Sequence, residues 1–199
     1  MVESMDTEIG RLLATMDPAV LDETTVVFVG DNGTPGGATQ SPFASDKAKG
    51  TVYEGGVHVP LIINGPLVWR AGQVEGLVQT TDLYTTLLDL AGAEPTTAHL
   101  AELDAVSLMP YLNDPTADSI RSVAYSARFS PNGMGPYNSI QTTVRDDRWR
   151  LVSNGGVHEL YDLDGEIAEG SDLLLDVLDT NAQTAYDRLV VELEAVGGP

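Results

Sequence analysis

The chain has 199 residues, of which 42% are apolar, so it is long enough to bury a core of ordinary composition. Its 30 acidic residues outnumber the 10 lysines and arginines, and the resulting net charge of −20 argues against nucleic acid or an anionic membrane surface as a partner. The sequence has no cysteine and no apolar run near the roughly 20 residues of a membrane span, which excludes disulfides, thiolate metal sites and a spanning helix within these residues.

Residues 1–115 alternate helical and strand-like patterns. Apolar residues recur at helical spacing up to Asp17-Pro18, and the β-branched run before Gly30 indicates a strand that is covered on both faces. A loop rich in glycine, proline and serine is predicted to follow. Helices are predicted over residues 4–16, 81–91 and 107–112, strands over residues 24–29 and 57–63, and the loop over residues 33–48.

After residue 115 the pattern changes to short strands separated by turns, which predicts a small antiparallel sheet followed by an amphipathic helix. The strands are predicted over residues 123–125, 139–144, 148–152 and 157–161, and the helix over residues 181–196. We therefore expect an α/β fold in two parts. Residues 1–116 form part of an α/β domain, and residues 117–199 form a small α+β subdomain.

Asp31, Asn32 and Gly33 directly follow the first predicted strand. Ligands gather at the carboxyl ends of strands in open α/β sheets, and carboxylate and amide oxygens suit Ca²⁺ or Mg²⁺. Asn-Gly after a strand is also a signal for a tight hairpin. The residues after Gly33 make a poor second strand, which weakens the hairpin interpretation and leaves a metal site as the alternative.

Both lysines of the chain, Lys47 and Lys49, fall within one three-residue window after this loop. They are either ordinary surface charges or a local site for an anion. Further along, His58 alternates with Val57 and Val59, which places it on the polar face of the second predicted strand. A histidine in such a place is more often structural than catalytic.

Taken together, these residues resemble the second half of sulfatases, which belong to the alkaline-phosphatase-like superfamily. The resemblance is carried by Met5 to Leu13, Thr24 to Gly33, Lys49 to Pro60, Thr81 to Gly92 and Glu159 to Leu163. It implies that Asp31 and Asn32 are two ligands of a divalent metal, usually Ca²⁺. It also implies that Lys49 contacts the sulfate and balances charge at the leaving oxygen. His58 stands where the family mostly has arginine, and we keep it as a candidate substrate-binding residue.

The family carries a Cys/Ser-x-Pro-x-Arg motif, converted to formylglycine, in its first half, and this motif is absent from the 199 residues. The resemblance therefore implies that the nucleophile and further metal ligands belong to a missing N-terminal half, which would be a partner of this chain. We expect these residues alone to be inactive on sulfate esters and to bind metal weakly. The implied substrate is a sulfated small molecule or glycan, and a periplasmic or secreted location is compatible with the resemblance.

Two other functions remain open at this point. One is a phosphodiesterase or phosphonate hydrolase of the same superfamily. The other is a truncated remnant or binding module without catalytic activity.

Overall fold

The computed structural model describes residues 2–93 and 103–196 of the chain. Helices and strands alternate in its first part, and a larger sheet followed by one long helix forms its second part. In chain order the elements are α1 (Val2–Ala14), α2 (Pro18–Asp22), β1 (Val26–Val29), α3 (Glu54–Val57), β2 (Leu61–Asn64), α4 (Asp82–Leu90), α5 (Met109–Asn113), β3 (Ala124–Ser130), β4 (Ser139–Arg145), β5 (Trp149–Asn154), β6 (Val157–Asp162) and α6 (Thr180–Ala195). Among the described residues, no helix is both long and apolar enough to span a bilayer. The α/β class predicted from the sequence is confirmed.

The first strand pairs with β2 in an antiparallel two-stranded sheet, with Val26 opposite Asn64 and Val29 opposite Leu61. We expected this strand to be covered on both faces, and within the described residues that expectation is wrong. Val29 is 38% exposed and Ile62 on the partner strand is 60% exposed. An apolar run reports a tendency to be buried, but it does not tell which segment covers it.

The strand predicted over residues 57–63 begins only at Leu61, because Glu54–Val57 form a single helical turn. The glycines of this turn explain the difference. A Cβ atom on Gly55 would lie 2.5 Å from the carbonyl oxygen of Lys47, and one on Gly56 would lie 2.8 Å from that of Ala48. Glycine therefore allows the turn to pack directly against the backbone of the preceding loop. His58 follows this turn and is not on a strand face, so its predicted position was wrong.

The second sheet is antiparallel in the order β3-β4-β5-β6, as the turn spacing predicted. Its core lies between the sheet and α6, which Asp179 caps by accepting a hydrogen bond of 2.8 Å from the backbone N–H of Ala182. Leu189 of this helix is fully buried, which contributes about 1.5–3 kcal/mol to folding. The cluster consists of Val144, Trp149, Leu151, Leu160, Ala182, Ala185 and Leu189.

The other face of this sheet packs against the loop that precedes α3. Successive strand residues face opposite sides, so Val152 points away from α6 while Leu151 points towards it. Val152 and Tyr161 form a second buried cluster with Val52 and Tyr53. The sheet of the second part thus supports the segment that carries Lys49 and His58.

Candidate active site

Asp31 and Asn32 lie in the loop that begins where β1 ends, and both residues are exposed. Neither side chain forms a hydrogen bond or an ion pair with another residue of the part of the chain that the structure describes. Gly33, by contrast, is buried, and a Cβ atom there would lie 2.7 Å from the Cα atom of Gly56. The loop is therefore held by its backbone, and its two oxygen-bearing side chains remain available.

Three backbone hydrogen bonds connect this loop with the segment from Lys49 to Pro60. Gly30 N–H donates to Pro60 O at 2.9 Å, Gly33 N–H donates to Gly56 O at 3.0 Å, and Lys49 N–H donates to Thr34 O at 2.9 Å. The two sequence segments that predicted a site are thus neighbours in the fold. Their contact is made by the main chain, so it does not depend on the side chains proposed for the chemistry.

The two lysines differ in their surroundings. The ammonium group of Lys47 donates a hydrogen bond of 3.1 Å to the Tyr161 hydroxyl and lies 4.9 Å from the centre of the Tyr53 ring. The side chain of Lys49 is exposed and makes no such contact with the residues that the structure describes. Lys47 is therefore held in a structural cation–π arrangement, whereas the charge of Lys49 remains free to meet a ligand.

A carboxylate from β6 completes the surroundings of Lys47. One oxygen of Glu159, Oε2, accepts hydrogen bonds from the hydroxyl of Tyr53 at 2.7 Å and from that of Tyr161 at 2.5 Å. Burial, followed by the hydrogen bond to Glu159, raises the pKa of Tyr53 to about 12. Burial also raises the pKa of Tyr161, so both phenols are neutral donors at physiological pH, and Glu159 fixes them against the loop.

His58 lies at the C-terminal end of α3, where its Nδ1 atom is 2.8 Å from Oε2 of Glu54. The hydrogen bond to Glu54 raises the pKa of His58 above 6.5, although burial and the charges of Arg145 and Arg150 act in the opposite direction. The side chain is 59% exposed, so the ring is anchored on one side and open to solvent on the other.

Asn32 and His58 share an open cleft of about 400 Å³. Apolar atoms line much of it, including those of Phe43 from the long loop and Ile167 from the second part of the chain. Asp31 and Lys49 are not among its lining residues. The structure thus brings Asn32 and His58 together in one cleft, and it connects Asp31 and Lys49 to that cleft through the loop backbone.

Glu54 is a residue of this region to which the sequence assigned no chemical role. Its side chain is buried and accepts hydrogen bonds from Arg145, at 2.7 Å, and from Arg150. Burial acts to raise the pKa of Glu54, but the hydrogen bond from His58 and the two arginine charges outweigh it and lower that pKa to about 2. The only sequence signal was an acidic residue between an aromatic residue and two glycines.

Carboxylate and amide oxygens such as those of Asp31 and Asn32 suit a hard divalent cation, but two residues would provide only part of its coordination sphere. Ca²⁺ prefers six to eight oxygen ligands. Across residues 2–93 and 103–196, no group of three or more His, Asp or Glu side chains comes together in a way that could hold a metal ion. These two residues could therefore supply at most part of a metal's ligands, and the rest would have to come from elsewhere.

Solved structures identify the class of fold. A protein in complex with D-glucosamine-2-N,6-O-disulfate, its substrate, matches with a TM-score of 0.73 at 23% identity, covering 98% of this chain and 38% of that one. A phosphonate monoester hydrolase from Silicibacter pomeroyi matches with a TM-score of 0.73 at 25% identity, covering 94% of this chain and 38% of that one. The chain thus has the fold of part of an alkaline-phosphatase-like hydrolase domain.

Sequence comparison shows which proteins of that class the chain resembles. Residues 1–93 match the family model described as Sulfatase. A sulfatase from Formosa agariphila is 38% identical over 125 residues, which are 57% of this chain and 22% of that protein. The chain is therefore similar to sulfatases over its first 93 residues, and the resemblance inferred from its sequence is confirmed. It spans less than a third of the length of the first curated relatives that it matches.

Proposed function

We propose that this chain contributes part of the active site of a sulfate ester hydrolase. The observation that carries the proposal is the set of backbone hydrogen bonds between the Asp31–Asn32 loop and the Lys49 segment. These bonds hold two oxygen-bearing side chains and the exposed cation of Lys49 in the same region, which supports a site for an anionic ester. The match of residues 1–93 to the sulfatase model supports the reaction class.

In this proposal Asp31 and Asn32 are two ligands of a divalent metal, which we take to be Ca²⁺. When bound, such a cation polarises the sulfuryl oxygens and orients the nucleophile. Lys49 brings its ammonium group to the sulfate and stabilises the negative charge that develops on the leaving oxygen. His58 contacts the substrate from the cleft that it shares with Asn32.

We assign the formylglycine nucleophile and the remaining metal ligands to an N-terminal half outside these 199 residues. The substrate would then bind between that half and the cleft beside Asn32. We propose a sulfated small molecule or glycan as the substrate class. The relative solved with a disulfated glucosamine supports a sugar sulfate as one member of that class.

A phosphonate or phosphate ester hydrolase is the second candidate function. The similarity to the phosphonate monoester hydrolase, with a TM-score of 0.73, favours it. Lys49 and a divalent metal would serve equally well in either reaction, because both substrates are tetrahedral anions whose leaving oxygen gains charge. The choice between the two therefore requires paired substrates.

The test uses the 199-residue chain and the longer protein obtained by including an upstream reading frame that encodes a Cys/Ser-x-Pro-x-Arg segment. We expect the longer protein to hydrolyse 4-nitrophenyl sulfate faster than 4-nitrophenyl phosphate or a phosphonate monoester, and Lys49→Ala to lower its kcat/KM about 10²–10³-fold. Arg128→Ala removes an exposed cation elsewhere and should leave the rate unchanged. Sulfate ester turnover by the 199 residues that survives Lys49→Ala would overturn the proposal.

A further inference from the structure

Glu54 and His58 form a contact that connects the cleft to the second sheet. On one side of the histidine ring, Nδ1 is 2.8 Å from the Glu54 carboxylate. The other ring nitrogen, Nε2, has no hydrogen-bond partner among the residues that the structure describes, and the residue lines the cleft. One nitrogen is thus bound to a fixed acceptor while the other is available to a ligand.

Glu54 is itself fixed by residues from the other part of the chain. Arg145 at the end of β4 and Arg150 in β5 both donate to its Oε1 atom. Its backbone N–H donates to Glu169 at 2.7 Å, and Glu169 lies 3.5 Å from the Nε atom of Arg150. The carboxylate therefore has a single orientation, in which Oε1 faces the arginines and Oε2 faces the histidine.

The charged groups that face His58 are Glu54 from α3 and the two arginines of the sheet. The contact with the carboxylate favours the protonated ring, and the arginines oppose it. A protonated ring whose Nδ1–H donates to Glu54 has its second proton on Nε2. This proton faces the side of the ring that the protein leaves open.

We propose that Glu54 is a positioning residue, which orients His58 so that its Nε2–H donates to an anionic group of the substrate in the cleft. The inference deepens the proposed function and rests on it for the identity of the anion. It assigns the second sheet a part in substrate binding, because Arg145 and Arg150 hold the carboxylate that orients the ring. His58 would then act alongside Lys49 as a second cationic donor.

The imidazole of His58 provides the first readout, and it requires no catalytic activity. We expect ¹⁵N-detected NMR of the 199-residue chain to show a charged ring with both nitrogens protonated at pH 6 and a pKa above 6.5. Arg145→Gln should raise this pKa further, because it removes a cation that opposes protonation, whereas Glu54→Gln should lower it. Arg148→Gln removes one positive charge from the same hairpin as Arg145→Gln does, and it should leave the pKa of His58 unchanged.

Arg145→Gln and Glu54→Gln should thus shift the pKa of His58 in opposite directions. If Glu54 had only a structural role, every destabilised variant would shift this pKa in the same direction. If Glu54→Gln fails to fold, Arg145→Gln still decides the matter, because the Arg145 side chain is 21% exposed and tolerates replacement better. A His58 pKa at or below 6.5, or equal shifts in Arg145→Gln and Arg148→Gln, would overturn the inference.

Inorganic sulfate is the second probe. We expect sulfate to shift the Nε2 resonance of His58 in the wild type at pH 6. In Glu54→Gln this shift should be at least fivefold smaller. If that variant does not fold, the comparison is the wild type at pH 9, where the shift should be absent. A shift of the Lys49 ammonium resonance without any response at His58 would overturn the donor role of His58 and leave the roles proposed for Lys49, Asp31 and Asn32 intact. No response at either residue would count against both.

Discussion

The ammonium nitrogen of Lys47 lies 4.2 Å from the centre of the Tyr161 ring and 3.1 Å from the hydroxyl oxygen of the same residue. Its neighbour in the sequence by two positions, Lys49, is exposed and has no comparable contact among the described residues. The two lysines look alike in the sequence, but only Lys47 has a structural contact in the fold. This difference can be measured as a difference in stability.

Lys47→Met should lower the free energy of unfolding by about 1–2 kcal/mol, because it removes a hydrogen bond and two cation–π contacts. Lys49→Met should change it by less than about 0.5 kcal/mol, as expected of an exposed side chain. Urea denaturation of both variants provides the comparison. Equal losses of stability would show that the two lysines are structurally equivalent after all.

The buried carboxylate of Glu54 should make the protein sensitive to acid. Its pKa is lowered from 4.5 to about 2, so the stability that it contributes is fully present above pH 4.5 and is lost as the pH falls towards 2. The contribution is on the order of 3 kcal/mol. The free energy of unfolding should therefore fall less steeply between pH 5 and pH 3 in Glu54→Gln than in the wild type.

Glu8→Gln is the matched control for this acid effect, because Glu8 is exposed on α1 and forms only a surface ion pair with Arg11. Its pH dependence should follow that of the wild type. A parallel pH profile for Glu54→Gln and the wild type would contradict the assignment. At neutral pH, Glu54→Gln should also cost about 3 kcal/mol, since it removes one of the two carboxylates that face the buried charge of Arg150 and leaves only Glu169.

Gly33→Ala should destabilise the protein by about 1–3 kcal/mol, because a Cβ atom there would lie 2.7 Å from the Cα atom of Gly56. The contact is with backbone, which yields less easily than a side chain. Gly37→Ala in the same loop is the control, since its Cβ atom would meet nothing within 4 Å. Thermal unfolding should separate the two variants by several degrees, and identical midpoints would show that the loop is not held at Gly33.

Calcium binding by the 199 residues should be weak, with a dissociation constant on the order of millimolar, because Asp31 and Asn32 supply too few oxygens. Asp31→Asn should weaken it further, whereas Asp46→Asn, which removes an exposed charge from the same long loop, should have little effect. Isothermal calorimetry measures both. Submicromolar affinity would contradict the weak binding expected here, and equal effects of the two substitutions would exclude the ligand role given to Asp31.

Local patterning was enough to predict the second sheet and α6. The strands β3 to β6 are short runs bounded by turns, and Ala182, Ala185 and Leu189 recur on one face of the final helix. The prediction failed at α3, because Gly55-Gly56 is compatible with a tight turn, a strand start or a helical turn. Only the packing of that segment against the backbone of residues 47–51 decides among them.

The site was predictable only in part. Asp31, Asn32 and Lys49 stand out because few residue types suit a metal or an anion, and their roles remain predictions. The importance of Glu54 could not be predicted, since its partners Arg145 and Arg150 lie 91 and 96 residues further along the chain. A contact between residues so far apart in the chain cannot be predicted from their spacing, because it exists only once the two segments have folded together.

The burial of Glu54 against arginines from the other part of the chain has a consequence for how the molecule can be divided. Separating residues 1–116 from residues 117–199 would remove both arginines from Glu54, which would keep only His58, and would leave Arg150, whose side chain is only 2% exposed in the intact chain, with Glu169 alone. Each piece would lose the buried ion pairs between Glu54 and the arginines, and breaking a buried pair costs about 3–5 kcal/mol. The two parts should therefore unfold together in one cooperative transition, and neither should fold as an independent unit.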